Sequence, residues 1–113
     1  MQVITKKDRK THQNSDVCTA YEYPFSTSSL NAAVIDLNGR YPDSGYCINH
    51  KSDEIGYIIK GSGTITVEEE TRELSQGDMV FIPKGKKFFW DGNMDMIVPC
   101  VPAWTPEQYE YMD

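Results

Sequence analysis

The sequence predicts an all-β domain, a small barrel or jelly roll, and two segments carry this prediction. The first, at residues 45–61, contains a strand, an acidic corner and a second strand that stops at a glycine. The second, at residues 77–93, contains an apolar strand followed by the sharp turn Pro83-Lys84-Gly85. Short strands separated by glycine- and proline-containing turns favour a β surface that closes around one core.

The elements before this region also read as strands. Residues 17–23 alternate in character, which is typical of a half-buried strand, and residues 31–37 are rich in alanine, valine and isoleucine. Residues 1–5 fit a short strand. Residues 6–16 are too polar and aperiodic to assign.

The remaining elements follow the same logic up to the C-terminus. Predicted strands cover residues 46–50, 55–60, 64–68, 72–74, 79–82, 87–90 and 94–101. In Thr105-Pro106-Glu107-Gln108, threonine can cap a helix, proline suits its first position, and glutamine can bond back. This signature predicts a short C-terminal helix over Tyr109 and Tyr111.

Composition limits the class of protein. A length of 113 residues fits one domain spanning residues 1–113. A net charge of −6 argues against a nucleic-acid partner, and the lack of a long apolar run argues against a membrane partner. Three widely spaced cysteines and no secretory signal at the N-terminus indicate reduced thiols and a cytoplasmic location.

A family resemblance rests on two spacings. Glu54 and Gly61 are separated by six residues, and Gly77 precedes Pro83-Lys84-Gly85 by five. These spacings resemble the two motifs of the cupin superfamily, with motif 1 at about residues 45–61 and motif 2 at about residues 77–93. The resemblance implies the double-stranded β-helix, or jelly-roll barrel, of that superfamily.

The metal ligands of the superfamily are largely missing here. In cupins that bind a divalent metal, three histidines and one glutamate point into the barrel. The resemblance puts the glutamate at Glu54, the second histidine at His50, and the other two histidine positions at Ile48 and Phe88. Since isoleucine and phenylalanine cannot ligate, no cofactor is expected. The weaker alternative is a divalent transition metal held by His50 and Glu54.

Glu54 and His50 are the candidate catalytic residues. A carboxyl group that points into an apolar barrel has a raised pKa, so it can exchange protons near neutral pH. His50 would complete an acid–base pair. By strand alternation, Tyr46 shares the face of Ile48 and His50, so we expect all three side chains at the cavity. The alternatives of a polar rim histidine and a hydrogen-bonded structural carboxylate stay open.

Aromatic residues give the candidate ligand contacts. Phe88 and Trp90 share a strand face, and aromatic faces stack on flat ligands. The alternative is a hydrophobic core that has filled the vacated metal site. Arg40 and Asn49 are further candidate contacts, although a loop anchor and a strand-edge residue fit them equally well.

Three functions therefore remain open, and the sequence leaves undecided whether the protein is an enzyme. The first is a metal-independent cupin that binds a small polar or carbohydrate-like metabolite and catalyses isomerase- or lyase-type proton transfer. The second is a metal-dependent dioxygenase or isomerase with a rearranged ligand set. The third is a structural or regulatory module. Exposed edge strands also predict a homodimer, with the N-terminal strand crossing between subunits.

Overall fold

Antiparallel strands account for most of the chain, and the computed structural model describes residues 1–113. The all-β prediction is confirmed. The strands are β1 (Lys10–Ser15), β2 (Cys18–Tyr23), β3 (Asn31–Tyr41), β4 (Tyr46–Asn49), β5 (Asp53–Val67), β6 (Glu70–Ser75), β7 (Met79–Ile82), β8 (Lys87–Val101) and β9 (Tyr109–Met112). Two single-turn 3-10 helices, Lys6–Asp8 and Pro106–Gln108, are the only helical elements.

The strands form one curled sheet whose inner face encloses a cavity. Along one path the order is β1-β2-β3-β8-β4-β9. Strand β5 pairs with β8 along one edge and with β6 and β7 along the other. Because β8 pairs with β3, β4 and β5, it connects the two halves of the sheet.

The long strands β5 and β8 are in close contact over most of their length, beginning with Asp53 opposite Val101. Within this pairing, Gly63 lies opposite Gly92. A Cβ atom added at Gly92 would lie 2.4 Å from the Cα atom of Gly63. Glycine is therefore required at this pair of positions, because only glycine lets the two backbones come this close as the sheet curls around its interior.

Side-chain alternation places one row of register partners on the inner face. His12, Ala20, Ile35, Met96 and Ile58 follow one another across strands β1, β2, β3, β8 and β5. The last two are almost completely buried. Burying one such side chain contributes about 2 kcal/mol, so this row fixes the inner face of the sheet.

The N-terminal segment differs from the sequence-based expectation. Residues 1–5 are not a strand, whereas the unassigned residues 10–15 form β1 and pair with β2. Gln2 accepts hydrogen bonds from the backbone N–H and hydroxyl group of Ser26 at 2.9 and 3.0 Å. The first residues are therefore held against their own chain.

The predicted C-terminal helix is reduced to one turn. Pro106 occupies its start, as expected, but no side-chain cap forms at Thr105. Tyr109 and Tyr111 lie in strand β9, which pairs with β4. The prediction of a helix over these tyrosines is wrong because the tail is more stable as a strand added to β4 than as an isolated helix of a few residues.

No helix in the structure has the length and apolar character needed to cross a bilayer.

Candidate functional site

The inner face of the sheet encloses a cavity of about 410 Å³. Its walls come mainly from β2, β3 and β8, and Glu54 is the residue of β5 that lines it. The apolar part of the wall includes Ala20, Ile35, Leu37, Phe88, Trp90 and Met96. The volume lies within the range of small-molecule sites, about 300–1,000 Å³.

Glu54 presents its two carboxyl oxygens to different surroundings. Oε1 accepts a hydrogen bond from Asn49 Nδ2 at 3.0 Å and a weaker one from the Cys100 thiol at 3.7 Å. Oε2 has no hydrogen-bond partner in the protein. Every fully buried side-chain oxygen or nitrogen atom has one, so Oε2 is not fully buried. Oε2 therefore opens onto the cavity rather than into packed protein.

Burial tunes Glu54 for proton exchange. Desolvation raises the pKa of Glu54 from 4.5 to about 7, and the hydrogen bonds from Asn49 and Cys100 partly oppose this change. No lysine, arginine or histidine approaches the carboxyl group closely enough to form an ion pair. A carboxyl group with this pKa is present in both protonation states near neutral pH, as acid–base catalysis requires.

Asn49 is held in turn by Trp104. The indole N–H of Trp104 donates to Asn49 Oδ1 at 2.9 Å. Asn49 is buried, with 3% of its surface exposed, so its amide bridges two groups inside the protein. It therefore lies behind Glu54 and does not line the cavity directly.

Neutral donors make up most of the other polar lining. Burial raises the pKa of the Cys100 thiol and of the Tyr41 and Tyr109 hydroxyl groups well above their ordinary values. All three groups stay protonated at neutral pH. Tyr41 also exchanges a hydrogen bond with the hydroxyl group of Tyr111, on strand β9.

An aromatic pair forms one wall. The rings of Phe88 and Trp90 meet edge to face with centroids 6.5 Å apart. Behind Trp90 lies Gly56, where an added Cβ would come within 2.8 Å of the indole. The expectation that Phe88 and Trp90 share a face toward the cavity agrees with their positions in its lining.

The mouth of the cavity carries polar groups that sequence reasoning missed. Lys10, His12 and Asn14, alternate residues of β1, reach its lining, together with Glu22 of β2. Lys10 and Glu22 are register partners. A strand that is polar on both faces has no hydrophobic alternation, so the only available signal was that residues 10, 12 and 14 precede a predicted strand.

The expected inward direction of Tyr46, Ile48 and His50 is wrong. None of the three lines the cavity. His50 instead lies 2.7 Å from Glu110 outside the barrel, and about half of each side chain is exposed. Cys47, fully buried, lies on the inner face. The assumed register was one residue out, and such a slip exchanges the two faces of a strand.

Tyr46 and Arg40 belong to an outer stack. The Arg40 guanidinium lies 3.8 Å from the centre of the Phe89 ring, and Tyr46 meets that ring edge to face. Arg40 also donates to the carbonyl groups of Pro42 and Gly45 at 2.7 and 2.9 Å. Of the two interpretations left open for Arg40, its position supports the loop anchor.

The inner positions do not fit a metal ion. The side chains at the family's ligand positions are Cys47, Asn49, Glu54 and Phe88. Phe88 cannot ligate, and the amide of Asn49 is already hydrogen-bonded to Trp104 and Glu54. No group of three or more histidine, cysteine, aspartate or glutamate side chains converges anywhere in the chain. Transition metals need three or four such ligands.

Comparison with known proteins agrees with this architecture. Residues 42–101 match the family described as Cupin domain. Among curated relatives, an uncharacterized protein of Methanocaldococcus jannaschii is 30% identical over 69 residues, covering 58% of this chain and 55% of the relative. The 1-hydroxy-2-naphthoate 1,2-dioxygenase of Nocardioides sp. is 36% identical over 45 residues, which are 40% of this chain but only 12% of the enzyme.

Solved structures match over nearly the whole chain. Streptomyces Pac13, described as a nucleoside dehydratase and solved with uridine, has a TM-score of 0.90 at 15% identity, covering 99% of this chain and 90% of its own. KdgF from Halomonas sp. has a TM-score of 0.74 at 19% identity, covering 89% and 94%. Oxalate decarboxylase of Bacillus subtilis has a TM-score of 0.81 at 15% identity, covering 96% and 31%. At these identities the likeness concerns the fold.

Proposed function

This chain belongs to the cupin superfamily, and we propose that it binds a small, flat, polar metabolite in its barrel and catalyses metal-independent proton transfer through Glu54. The reaction class is isomerisation or the loss of water. The observation that carries the proposal is the Oε2 atom of Glu54, unpartnered and facing the cavity, on a carboxyl group whose pKa is about 7.

The cavity wall supports a flat ligand. Phe88 and Trp90 offer ring faces and edges, and the raised pKa values of Tyr41 and Tyr109 keep their hydroxyl groups as neutral donors. No lysine, arginine or histidine forms an ion pair with Glu54, and Lys10 and His12 are exposed residues of the lining. The part of the ligand that meets Glu54 is therefore uncharged, and ring-bearing metabolites with hydroxyl or carbonyl groups fit best.

Glu54 can perform both halves of such a reaction. As a carboxylate, Oε2 removes a proton from a carbon next to a carbonyl or imine group, and the electron pair moves into that group. As a carboxylic acid, it then returns the proton to another carbon, which completes an isomerisation. Alternatively it protonates a leaving hydroxyl group, which departs as water. Neither course needs an oxidant or reductant.

The structural neighbour Pac13, described as a nucleoside dehydratase and solved with uridine, supports the choice of probe. We propose nucleosides as the first compounds to test. Purified protein treated with a chelator is incubated with uridine and related nucleosides in D₂O, and deuterium uptake or loss of water is followed by mass spectrometry. We expect the wild type to exchange or dehydrate one of them, and Glu54→Gln to lose this activity by about 1,000-fold.

The second candidate is a metal-dependent enzyme, favoured by the sequence match to a dioxygenase over 45 residues. That activity needs ligands beyond the set converging here. Elemental analysis of protein purified without a chelator separates the two: stoichiometric iron, manganese or zinc that is lost together with activity in Glu54→Gln supports the second candidate.

We also propose that the protein is a homodimer, and that the outer face of the sheet is the contact. Neighbouring strands expose Met79 and Phe81 of β7 and Ile55 and Tyr57 of β5, which are register partners. Met79 and Phe81 are each about three-fifths exposed. Contiguous exposed apolar side chains of this size are typical of protein interfaces.

A further inference from the structure

Taking Glu54 as the proton-transferring group, we propose that Trp104 is a positioning residue, and that its indole N–H fixes the amide of Asn49 so that Asn49 Nδ2 faces the Glu54 carboxyl group. Trp104 comes after the last long strand, outside both superfamily motifs. This inference rests on the proposed function only because it takes Glu54 as the proton-transferring group.

The orientation of Asn49 follows from the donors and acceptors around it. An indole N–H can only donate, so the atom of Asn49 that lies 2.9 Å from it must be the oxygen. The amide nitrogen is then the atom that lies 3.0 Å from Glu54 Oε1. Without the indole, a buried amide beside Glu54 could present either end.

Trp104 is itself held at both backbone groups. Its N–H donates to Asn31 Oδ1 at 2.9 Å, and its carbonyl accepts from Asn31 Nδ2 at 3.3 Å. Its ring packs edge to face against Tyr109, with centroids 5.5 Å apart. The backbone of Trp104 is therefore anchored and its ring is packed, so the direction of the indole N–H is fixed before any ligand binds.

These contacts determine which oxygen of Glu54 is free to contact a ligand. Two donors, from Asn49 and Cys100, occupy Oε1, and this leaves Oε2 for the ligand. The titratable groups packed around Glu54 are the thiols of Cys47 on β4 and Cys100 on β8, both neutral. Asn49 is therefore the strongest donor to the carboxylate, and any loosening of its amide destabilises the charged form.

The variant Trp104→Phe distinguishes the role of the aromatic ring from that of the indole N–H group. The ring faces the cavity and can contact a ligand, whereas the N–H faces Asn49. Phenylalanine keeps an aromatic face and removes the donor. The buried Oδ1 atom of Asn49 then lacks a partner, and the amide gains by turning that oxygen toward a protonated Glu54.

The test is a double-mutant cycle on the titration of Glu54, followed by carboxyl ¹³C NMR and assigned with Glu54→Gln. We expect Trp104→Phe to raise the pKa of Glu54 by roughly one unit, a size typical of a changed hydrogen bond. Asn49→Leu, which removes the amide, should raise it at least as much. The double variant should titrate like Asn49→Leu alone, because Trp104 acts through Asn49.

An unchanged pKa in Trp104→Phe, or additive shifts in the double variant, overturns the proposal. If a variant fails to fold, the wild type still provides a test. The ¹⁵N chemical shift of the Asn49 side-chain amide must change with pH at the same midpoint as Glu54. A chemical shift that does not change with pH overturns the proposal. These measurements need no ligand. A missing turnover would therefore refute the proposed function and leave the role of Trp104 standing. Additive pKa shifts would overturn the role of Trp104 and leave the proposed function standing.

Discussion

Asn49 donates its amide N–H to Glu54 Oε1 over 3.0 Å, and this bond divides the carboxyl group into a held oxygen and a free one. The held oxygen fixes the plane of the carboxyl group. The free oxygen, Oε2, meets the cavity. A general acid or base needs this arrangement, because a freely rotating carboxyl group loses the alignment with its substrate.

The first prediction concerns pH and stability. The pKa of Glu54 is raised from 4.5 to about 7, so between these values the folded state binds more protons than the unfolded state. The contribution of the protonated carboxyl group is complete below pH 4.5 and is lost as the pH rises through 7. Glu54→Gln removes this dependence.

The difference in unfolding free energy between Glu54→Gln and the wild type should therefore grow from near zero at pH 4.5 to about 3 kcal/mol at pH 8. Urea unfolding at several pH values measures it. Parallel stability profiles for the two proteins would show that Glu54 titrates normally in the folded state.

The second prediction concerns His50. Its partner Glu110 is exposed, and exposed ion pairs contribute at most about 1 kcal/mol. His50→Ala should therefore lower the unfolding free energy by less than this amount and leave proton exchange on a ligand unchanged. Glu110→Gln is the matched control for the ion pair. A large loss of turnover in His50→Ala alone would place this histidine at the site after all.

The third prediction tests the register of β4. If Cys47, Asn49 and Phe88 occupy the three histidine positions, replacing all three with histidine should create a site with Glu54 that binds one zinc ion per chain. The matched control is Ile48→His with Phe88→His, which retains His50 and follows the register first inferred from the sequence. Calorimetry with zinc should detect binding in the triple variant only; zinc binding confined to the control would reverse the register assignment.

The fourth prediction concerns the corner before Glu54. Gln108, buried, accepts from the backbone N–H groups of Lys51 and Ser52 at 2.8 and 2.7 Å and donates to the Ser52 hydroxyl at 2.7 Å. Gln108→Ala leaves these groups unsatisfied, so we expect a loss of about 3 kcal/mol in thermal or urea unfolding. The exposed neighbour variant Glu107→Ala should stay within about 0.5 kcal/mol of the wild type.

The fifth prediction concerns the outer face. In sedimentation at micromolar concentration, the wild type should be a dimer and Phe81→Glu a monomer, because a charge in an apolar contact is costly to desolvate. Gln76→Glu, at an exposed turn, is the control and should stay dimeric. Removing residues 1–5 should not change the assembly. A monomeric wild type would end the proposal of a homodimer.

Much of the site was accessible from the sequence, within one specific limit. The spacing from Glu54 to Gly61 led to an inward carboxyl group with a raised pKa, and the parity of Phe88 and Trp90 agrees with the cavity lining. The limit was the corner at residues 50–52. Three residues separate His50 from Glu54, and four separate Asn49 from it; both spacings read equally well along the chain.

The sequence by itself determined the all-β class, the motif spacings and the apolar surroundings of Glu54, because these depend on local alternation and on glycine and proline turns. Tertiary structure alone decided which face of β4 lies inside. That choice depends on Cys47 pairing with Phe88 on β8 and with Tyr111 on β9, residues distant in the chain. Since strand side chains alternate, this pairing selected Asn49 rather than His50 as the neighbour of Glu54.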